Sequence, residues 1–187
     1  MDCPALGVLN RAGLRVSIAA PAPRVTSMNG VTIDATTDLD EAADADAVII
    51  GSGIRTREVV EDGAIMQRLG RLDPARQLLA AQCSGTLVLA KLGLLTDIPA
   101  CTDLTTKPWV IAAGVKVLNQ PFFARGNIAT AGGCLASTYL ATWIITRLLG
   151  LTEAESAMHY VAPVGEKEEY VARALRNVTP YLDPVHS

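Results

Sequence analysis

Short apolar runs alternate along the chain with stretches whose apolar residues recur at helical spacing. An apolar run of a few residues is typical of a strand buried on both faces, whereas spacing of three and four is typical of a helix that packs through one side. The pattern predicts helices over 1–12, 38–46, 59–72, 87–92, 109–114, 135–149, 153–160 and 166–176, and strands over 14–20, 47–50, 76–82, 98–103, 115–119, 122–125 and 128–131.

Two turn signals support this division. Asn29-Gly30 lies between alternating residues and predicts a hairpin over 25–33. Gly13 follows the first helix, where a helix C-cap is expected. Alternating strands and helices are typical of an α/β sandwich around a mainly parallel sheet. We expect one domain over 1–187. The chain starts with a helix instead of a strand, so either a preceding strand is absent or the true start lies upstream.

Composition narrows the function classes. The 187 residues are 50% hydrophobic, with a formal net charge of −3, so the chain has no basic footprint for nucleic acid or an anionic membrane. The most apolar segment, 135–150, is interrupted by polar residues. It is also shorter than the ~20 residues that a membrane-spanning helix needs. The four cysteines lie far apart, without zinc-type spacing. No signal peptide is evident. We therefore expect a cytoplasmic protein with free thiols and no metal.

Cys83 is the strongest candidate for chemistry. It follows the apolar run after Asp73-Pro74 and precedes a helical pattern that Gly93 ends. A strand that turns sharply into a helix raises one side chain above the carboxyl edge of the sheet, as in a nucleophile elbow. The helix amides would then favour thiolate over thiol. The alternative is that Cys83 is an ordinary buried residue. We expect Cys101 and Cys134 to have packing roles; the alternative for Cys134, which follows Gly132-Gly133, is that it borders the same pocket.

Gly51-Ser52-Gly53 ends the run at 47–50 and lets backbone approach the same sheet edge. It is not a dinucleotide-binding fingerprint, because Arg55 and Thr56 follow where further glycine is required.

The segments IIGSG, QLLAAQCSGTLVLAKLGLL, ACTD and GNIATAGGCLASTYLATWII resemble the ThiJ/PfpI superfamily, the cysteine branch of the class I glutamine amidotransferase-like fold. The resemblance covers about 6–150 and is strongest to the isocyanide hydratase and regulator-associated branch. It implies a flavodoxin-like three-layer sandwich, a homodimer and no cofactor.

The resemblance also implies roles for particular residues. Cys83 matches the reactive cysteine, and the amides of Gly53 and Ser84 match an oxyanion pocket. Asp2 is the residue available for the family's acidic partner of the cysteine, although matching it requires a one-residue gap. Asp103 stands in ACTD where many members carry histidine. An ionised carboxylate near the thiol would raise the thiol's pKa, yet the same group can act as a general base.

Two functions remain open. The first is a cofactor-free enzyme in which Cys83 attacks a small electrophile, an isocyanide or a 2-oxoaldehyde, while Asp2 or Asp103 moves protons. The second is a non-catalytic domain in which Cys83 serves redox or ligand sensing. Protease and glutamine amidotransferase activities are disfavoured, because no histidine follows the elbow at the required place and the tail residues His159 and His186 have no local context for catalysis.

Overall fold

A computed structural model describes residues 4–27 and 29–182 of the chain. The strands are β1 (Ala19–Ala20), β2 (Arg24–Thr26), β3 (Thr32–Asp34), β4 (Thr37–Asp38), β5 (Ala47–Ile50), β6 (Leu78–Gln82), β7 (Phe122–Arg125) and β8 (Ile128–Ala131). The helices are α1 (Pro4–Arg11), α2 (Thr56–Glu61), α3 (Gly63–Leu69), α4 (Gly85–Lys91), α5 (Lys107–Ala112), α6 (Ser137–Leu149), α7 (Leu151–Val161) and α8 (Lys167–Val178). Short 3₁₀ helices cover Leu39–Asp44, Cys134–Ala136 and Thr179–Tyr181.

The main sheet has the strand order β5-β6-β8-β7. The first three strands run parallel, and β7 pairs antiparallel with β8. Gln82 pairs with Ala131, so β6 and β8 end side by side at the carboxyl edge of the sheet. The candidate site residue Cys83 follows β6 at this edge.

Both faces of the sheet are covered, which gives the three-layer α/β sandwich expected from the sequence. β6 is buried along its whole length. Leu78 and Ala80 pack into one apolar layer with α1, α6, α7 and α8, while Leu79 and Ala81 pack into the other with α3, α4 and α5. The alternation of side chains in a strand explains why a continuous apolar run fills both layers.

The most apolar segment is confirmed as a buried helix. Leu140, Trp143 and Ile145 of α6 have no exposed side-chain surface. Across residues 4–27 and 29–182, the helices are all too short or too polar to cross a bilayer.

Four predicted elements differ from the structure. The helix predicted over 59–72 is broken at Asp62, whose carboxylate accepts hydrogen bonds from the Ala64 and Ile65 amides at 2.9 and 3.1 Å and caps α3. The predicted strand over 14–20 is reduced to β1. The strands predicted over 98–103 and 115–119 are reduced to one bridge between Ala100 and Val117. At the next residue, the Cys101 amide donates to the Thr130 hydroxyl at 2.9 Å instead of to a strand.

The position of β5 was also wrong in the sequence interpretation. The apolar run at 47–50 predicts a central strand, but β5 lies at the edge of the main sheet. All four of its residues are partly exposed. Its outer side faces a groove of about 790 Å³ that runs to the segment 14–17. The apolar residues of β5 would suit a central strand, but at this edge they are only partly buried.

A close backbone contact joins β5 to the helix that follows Cys83. A Cβ atom on Gly85 would overlap the Ile50 carbonyl oxygen and lie 3.0 Å from the Gly51 oxygen. Both obstacles are backbone, so no side chain can move away to make room. Only glycine allows α4 to begin this close to the end of β5.

We predict that Gly85→Ala lowers the free energy of unfolding by about 2–3 kcal/mol, because the added methyl group forces two elements apart. The matched control is Gly7→Ala in α1, where a Cβ meets nothing within 4 Å. Alanine at that exposed helical position should instead stabilise the protein by about 0.5–1 kcal/mol. Chemical denaturation of the two variants measures both effects. Equal effects would contradict the close approach at Gly85.

Candidate active site

Cys83 occupies a strained turn between β6 and α4. Its φ angle is +49°, in the left-handed region that residues other than glycine, asparagine and aspartate rarely adopt. The Cys83 amide donates to the Ala131 carbonyl at 2.8 Å, and the Cys83 carbonyl accepts from the Thr102 hydroxyl at 2.8 Å. Both backbone groups are therefore satisfied by neighbouring segments. This is the geometry expected of a nucleophile elbow.

The thiol of Cys83 is buried and surrounded by polar groups. The residue is only 3% exposed. Burial raises the pKa of Cys83 to about 11, an amide hydrogen bond from Gly133 opposes the rise, and the nearby Cys134 and Asp103 add to it. The sequence expectation that helix amides would favour the thiolate is therefore wrong for this site. Desolvation outweighs the donors, and the resting group is a thiol.

Asp103 supplies a carboxylate that is near enough to this thiol to raise its pKa. One carboxylate oxygen, Oδ1, accepts hydrogen bonds from the Thr105 and Thr106 amides, both at 2.9 Å. The other, Oδ2, is buried and has no hydrogen-bond partner within residues 4–27 and 29–182. A buried acceptor without a partner is unusual in a folded protein. The backbone bonds fix the carboxylate while leaving one oxygen able to accept a proton.

The hydroxyl of Ser84 links the elbow to the glycine turn after β5. It lies 3.0 Å from the Gly53 amide, which donates to it, and 2.8 Å from the Thr56 hydroxyl. The Ser52 hydroxyl lies 3.2 Å away on the same side. The Gly53 amide assigned by resemblance to an oxyanion pocket is thus held by Ser84. A substrate oxygen would have to share or displace that bond.

A cavity of about 600 Å³ opens next to Asp103. It is lined by the segments 102–105 and 117–121 together with Lys107 and the Gly132-Gly133 pair. A Cβ on Gly132 would lie 2.5 Å from the Thr102 oxygen, so glycine is needed where these two segments cross. The cavity is large enough for a small organic molecule.

Comparison with known proteins identifies the chain. The DJ-1/PfpI family profile matches residues 4–147. The chain belongs to the DJ-1/PfpI family. Isonitrile hydratase of Pseudomonas putida is 24% identical over 131 residues, which is 70% of this chain and 58% of that relative. The chain thus spans little more than half the length of this relative.

Solved structures agree on the fold. Schizosaccharomyces pombe DJ-1 has a TM-score of 0.73 at 16% identity, with 85% of this chain and 90% of that chain covered. A ThiJ/PfpI family protein from Pseudomonas syringae has a TM-score of 0.70 at 17% identity, with 93% and 81% covered. At these identities the likeness concerns the fold alone.

The candidate residues differ in how far the structure describes them. Cys83, Ser84, Asp103 and Gly53 come together at the carboxyl edge of the DJ-1/PfpI sheet. Asp2 lies outside the described residues, so its assignment stays a prediction. His186 also lies outside them. His159 is on α7, where its Nε2 atom is 3.7 Å from Glu168 Oε1.

Sequence reasoning missed the contribution of the segment after β8. The Gly133 amide and the Cys134 side chain are both close enough to the Cys83 sulfur to affect its pKa. Cys101 is fully buried, in agreement with a packing role, but Cys134 is exposed. The packing role expected for Cys134 is therefore wrong. The Gly132-Gly133 pair directly after a strand was the available signal, since it marks a close backbone approach.

Within the described part of the chain, no cluster of three or more histidine, cysteine or acidic side chains has a metal-binding arrangement.

We predict that Asp103→Asn accelerates alkylation of Cys83 by iodoacetamide several-fold at fixed pH. Loss of the carboxylate charge lowers the thiol's pKa, and a lower pKa means more thiolate at any pH below it. Mass spectrometry of the tryptic peptide 77–91 reads Cys83 separately from the exposed Cys134. The matched control is Asp97→Asn, at an exposed residue with φ +59° where asparagine is well tolerated. An unchanged or slower rate in Asp103→Asn would show that the carboxylate does not act on the thiol.

Proposed function

We propose that this protein is a cofactor-free, cysteine-dependent enzyme that acts on a small electrophile, with hydration of an isocyanide as the best candidate reaction. One observation carries the proposal: Asp103 is close enough to the elbow thiol of Cys83 to raise its pKa, and Asp103 Oδ2 is buried with no hydrogen-bond partner among the described residues. The distant relation to an isonitrile hydratase supports the choice of substrate class.

The raised pKa of Cys83 decides how the attack begins. Because burial holds the pKa of Cys83 above the ordinary thiol value, the thiol form dominates near neutral pH. The enzyme therefore needs a base that accepts the proton as the sulfur attacks, and we propose Asp103 for this role. In this scheme, Asp103 takes the part that histidine takes in many relatives.

The proton and bond changes balance for an isocyanide. The Cys83 sulfur bonds to the isocyanide carbon, and the thiol proton passes through Asp103 to that same carbon, giving a thioimidate. Water then adds to this carbon, and a proton from the water moves to the nitrogen. Cleavage of the carbon–sulfur bond returns the thiol and releases an N-substituted formamide. The net reaction consumes one isocyanide and one water.

Backbone amides would stabilise negative charge that develops during these steps. The assigned donors are the amides of Gly53 and Ser84, which remain a prediction. Since the Gly53 amide bonds to the Ser84 hydroxyl at 3.0 Å, that side chain must rotate or share the donor when substrate binds. A 2-oxoaldehyde would need this pocket more, because attack on its carbonyl carbon places the negative charge on the carbonyl oxygen.

We also propose a cytoplasmic homodimer whose interface borders the site. Ile54, Leu104 and Leu135 are 74%, 85% and 73% exposed, respectively. They follow Gly53, Asp103 and Cys134, so an exposed apolar side chain occurs in each of the three loops that surround the Cys83 turn. Apolar surface concentrated in this way is typical of a binding surface.

The second candidate is a non-catalytic sensing domain. It is favoured by the 3% exposure of Cys83 and by its raised pKa, which both slow a nucleophilic reaction. A turnover assay distinguishes the two candidate functions, because a sensing domain would not turn over isocyanides or 2-oxoaldehydes.

We predict that Cys83→Ala abolishes turnover in a screen of small isocyanides and 2-oxoaldehydes, while Asp103→Asn lowers kcat by about 10²–10⁴-fold. Loss of the nucleophile removes the reaction path, whereas loss of the base leaves the thiol without a proton acceptor. The matched control is Asp97→Asn, which should keep wild-type kcat. Turnover that survives Cys83→Ala would overturn the proposal.

A further inference from the structure

Two thiols lie together at the carboxyl edge of the sheet. Parallel pairing places the end of β6 beside the end of β8, with Gln82 opposite Ala131. The Cys83 amide donates to the Ala131 carbonyl at 2.8 Å, and the Gln82 side-chain amide donates to the Cys134 carbonyl at 3.2 Å. These hydrogen bonds fix the two cysteine-bearing turns against each other.

The turn between β8 and α6 directs Cys134 back toward the elbow. Gly133 has a φ angle of +97°, which reverses the chain directly before Cys134. The Cys134 side chain is thereby close enough to the Cys83 sulfur to contribute to the raised pKa of that thiol. The two cysteine-bearing turns are therefore adjacent while β6 and β8 keep their pairing.

The two thiols differ in access to solvent. Cys134 is exposed, whereas Cys83 is 3% exposed. An oxidant from solution can thus reach Cys134 first. A sulfenic acid formed there would have a second thiol next to it, which is the arrangement that favours disulfide formation over further oxidation.

We propose that Cys83 and Cys134 form a reversible disulfide when a hydroperoxide oxidises the exposed Cys134 thiol. The inference concerns a modification site and goes beyond the proposed hydratase function, since disulfide formation requires no turnover of substrate. It assigns a chemical role to Cys134, which the proposed reaction does not use.

The steps balance in atoms and electrons. The Cys134 sulfur attacks one oxygen of the hydroperoxide, the O–O bond breaks, and the products are the sulfenic acid and water or an alcohol. The Cys83 sulfur then attacks the Cys134 sulfur and displaces its hydroxyl group as water, with the Cys83 proton completing that water. Two thiols are oxidised by two electrons, and the peroxide is reduced. A dithiol reductant restores both thiols by exchange.

This disulfide would have two consequences. It removes the Cys83 nucleophile, so any reaction at the elbow stops while the bond persists. It also protects Cys83 from sulfinic and sulfonic acids, which thiols do not reverse. The pair would therefore act as a reversible block of the site.

The test is peptide mapping of the full chain after a brief treatment with dilute hydrogen peroxide, followed by alkylation of remaining thiols and tryptic digestion without reductant. The background is Cys3→Ser, which removes the cysteine outside the described residues. We expect peptides 77–91 and 126–147 to be joined within one molecule, at the mass of the sum minus two hydrogen atoms. Dithiothreitol should return the joined fraction to the untreated level.

Variants separate the roles of the thiols. In Cys83→Ser, Cys134 should gain two or three oxygen atoms because nothing resolves its sulfenic acid. In Cys134→Ser, the joined peptides should disappear. Cys101→Ala, at a fully buried residue, is the matched control and should keep the cross-link.

The proposal is overturned if wild type gains oxygen on peptide 77–91 without a cross-link, if the cross-link joins two molecules, or if no joined peptide forms. None of these mass measurements depends on substrate turnover. The disulfide proposal can therefore be tested even if the isocyanide screen finds no activity.

Discussion

The left-handed backbone at Cys83 is the constraint on which the site depends. A non-glycine residue in this conformation costs about 1–3 kcal/mol and persists only when its surroundings hold it. Here the Ala131 carbonyl and the Thr102 hydroxyl bind the Cys83 backbone on two sides, each at 2.8 Å. Gly85 adds a third restraint by allowing α4 to start against the end of β5. The sheet, the elbow helix and the loop after residue 101 thus fix one side chain together.

The same enclosure determines the chemistry of the thiol. A helix start and the Gly133 amide both favour a thiolate, but burial of the sulfur disfavours it more strongly, and the pKa rises to about 11. A preformed thiolate is therefore not what this arrangement supports. The alternative is a protonated nucleophile with a fixed carboxylate nearby, and Asp103 has an oxygen without a hydrogen-bond partner among the described residues.

Sequence reasoning succeeded where the signal is local. The elbow, the Asn29-Gly30 hairpin and α6 follow from turn residues and apolar periodicity, which the chain carries within a few residues. It failed where long-range pairing decides. The run at 47–50 is apolar enough for a central strand, yet its place at the sheet edge depends on a neighbour that is distant in sequence.

The site divides in the same way. Cys83 and Asp103 were selected from motifs, whereas the contact between Cys134 and Cys83 arises from the register of β6 and β8. The direction of the Cys83 pKa shift could not be predicted from the sequence either, because it depends on how completely the folded protein excludes water from the sulfur. A motif can place a thiol at a helix start but cannot state its burial.

The most direct measurement is the absorbance of the thiolate near 240 nm as a function of pH, taken as the difference between wild type and Cys83→Ser. If Cys83 rests as a buried thiol, its ionisation should occur well above the ordinary thiol value of 9.0, toward about 11. A Cys83 thiolate that is already formed below pH 8 would contradict this, and the helix amides would then be the dominant influence.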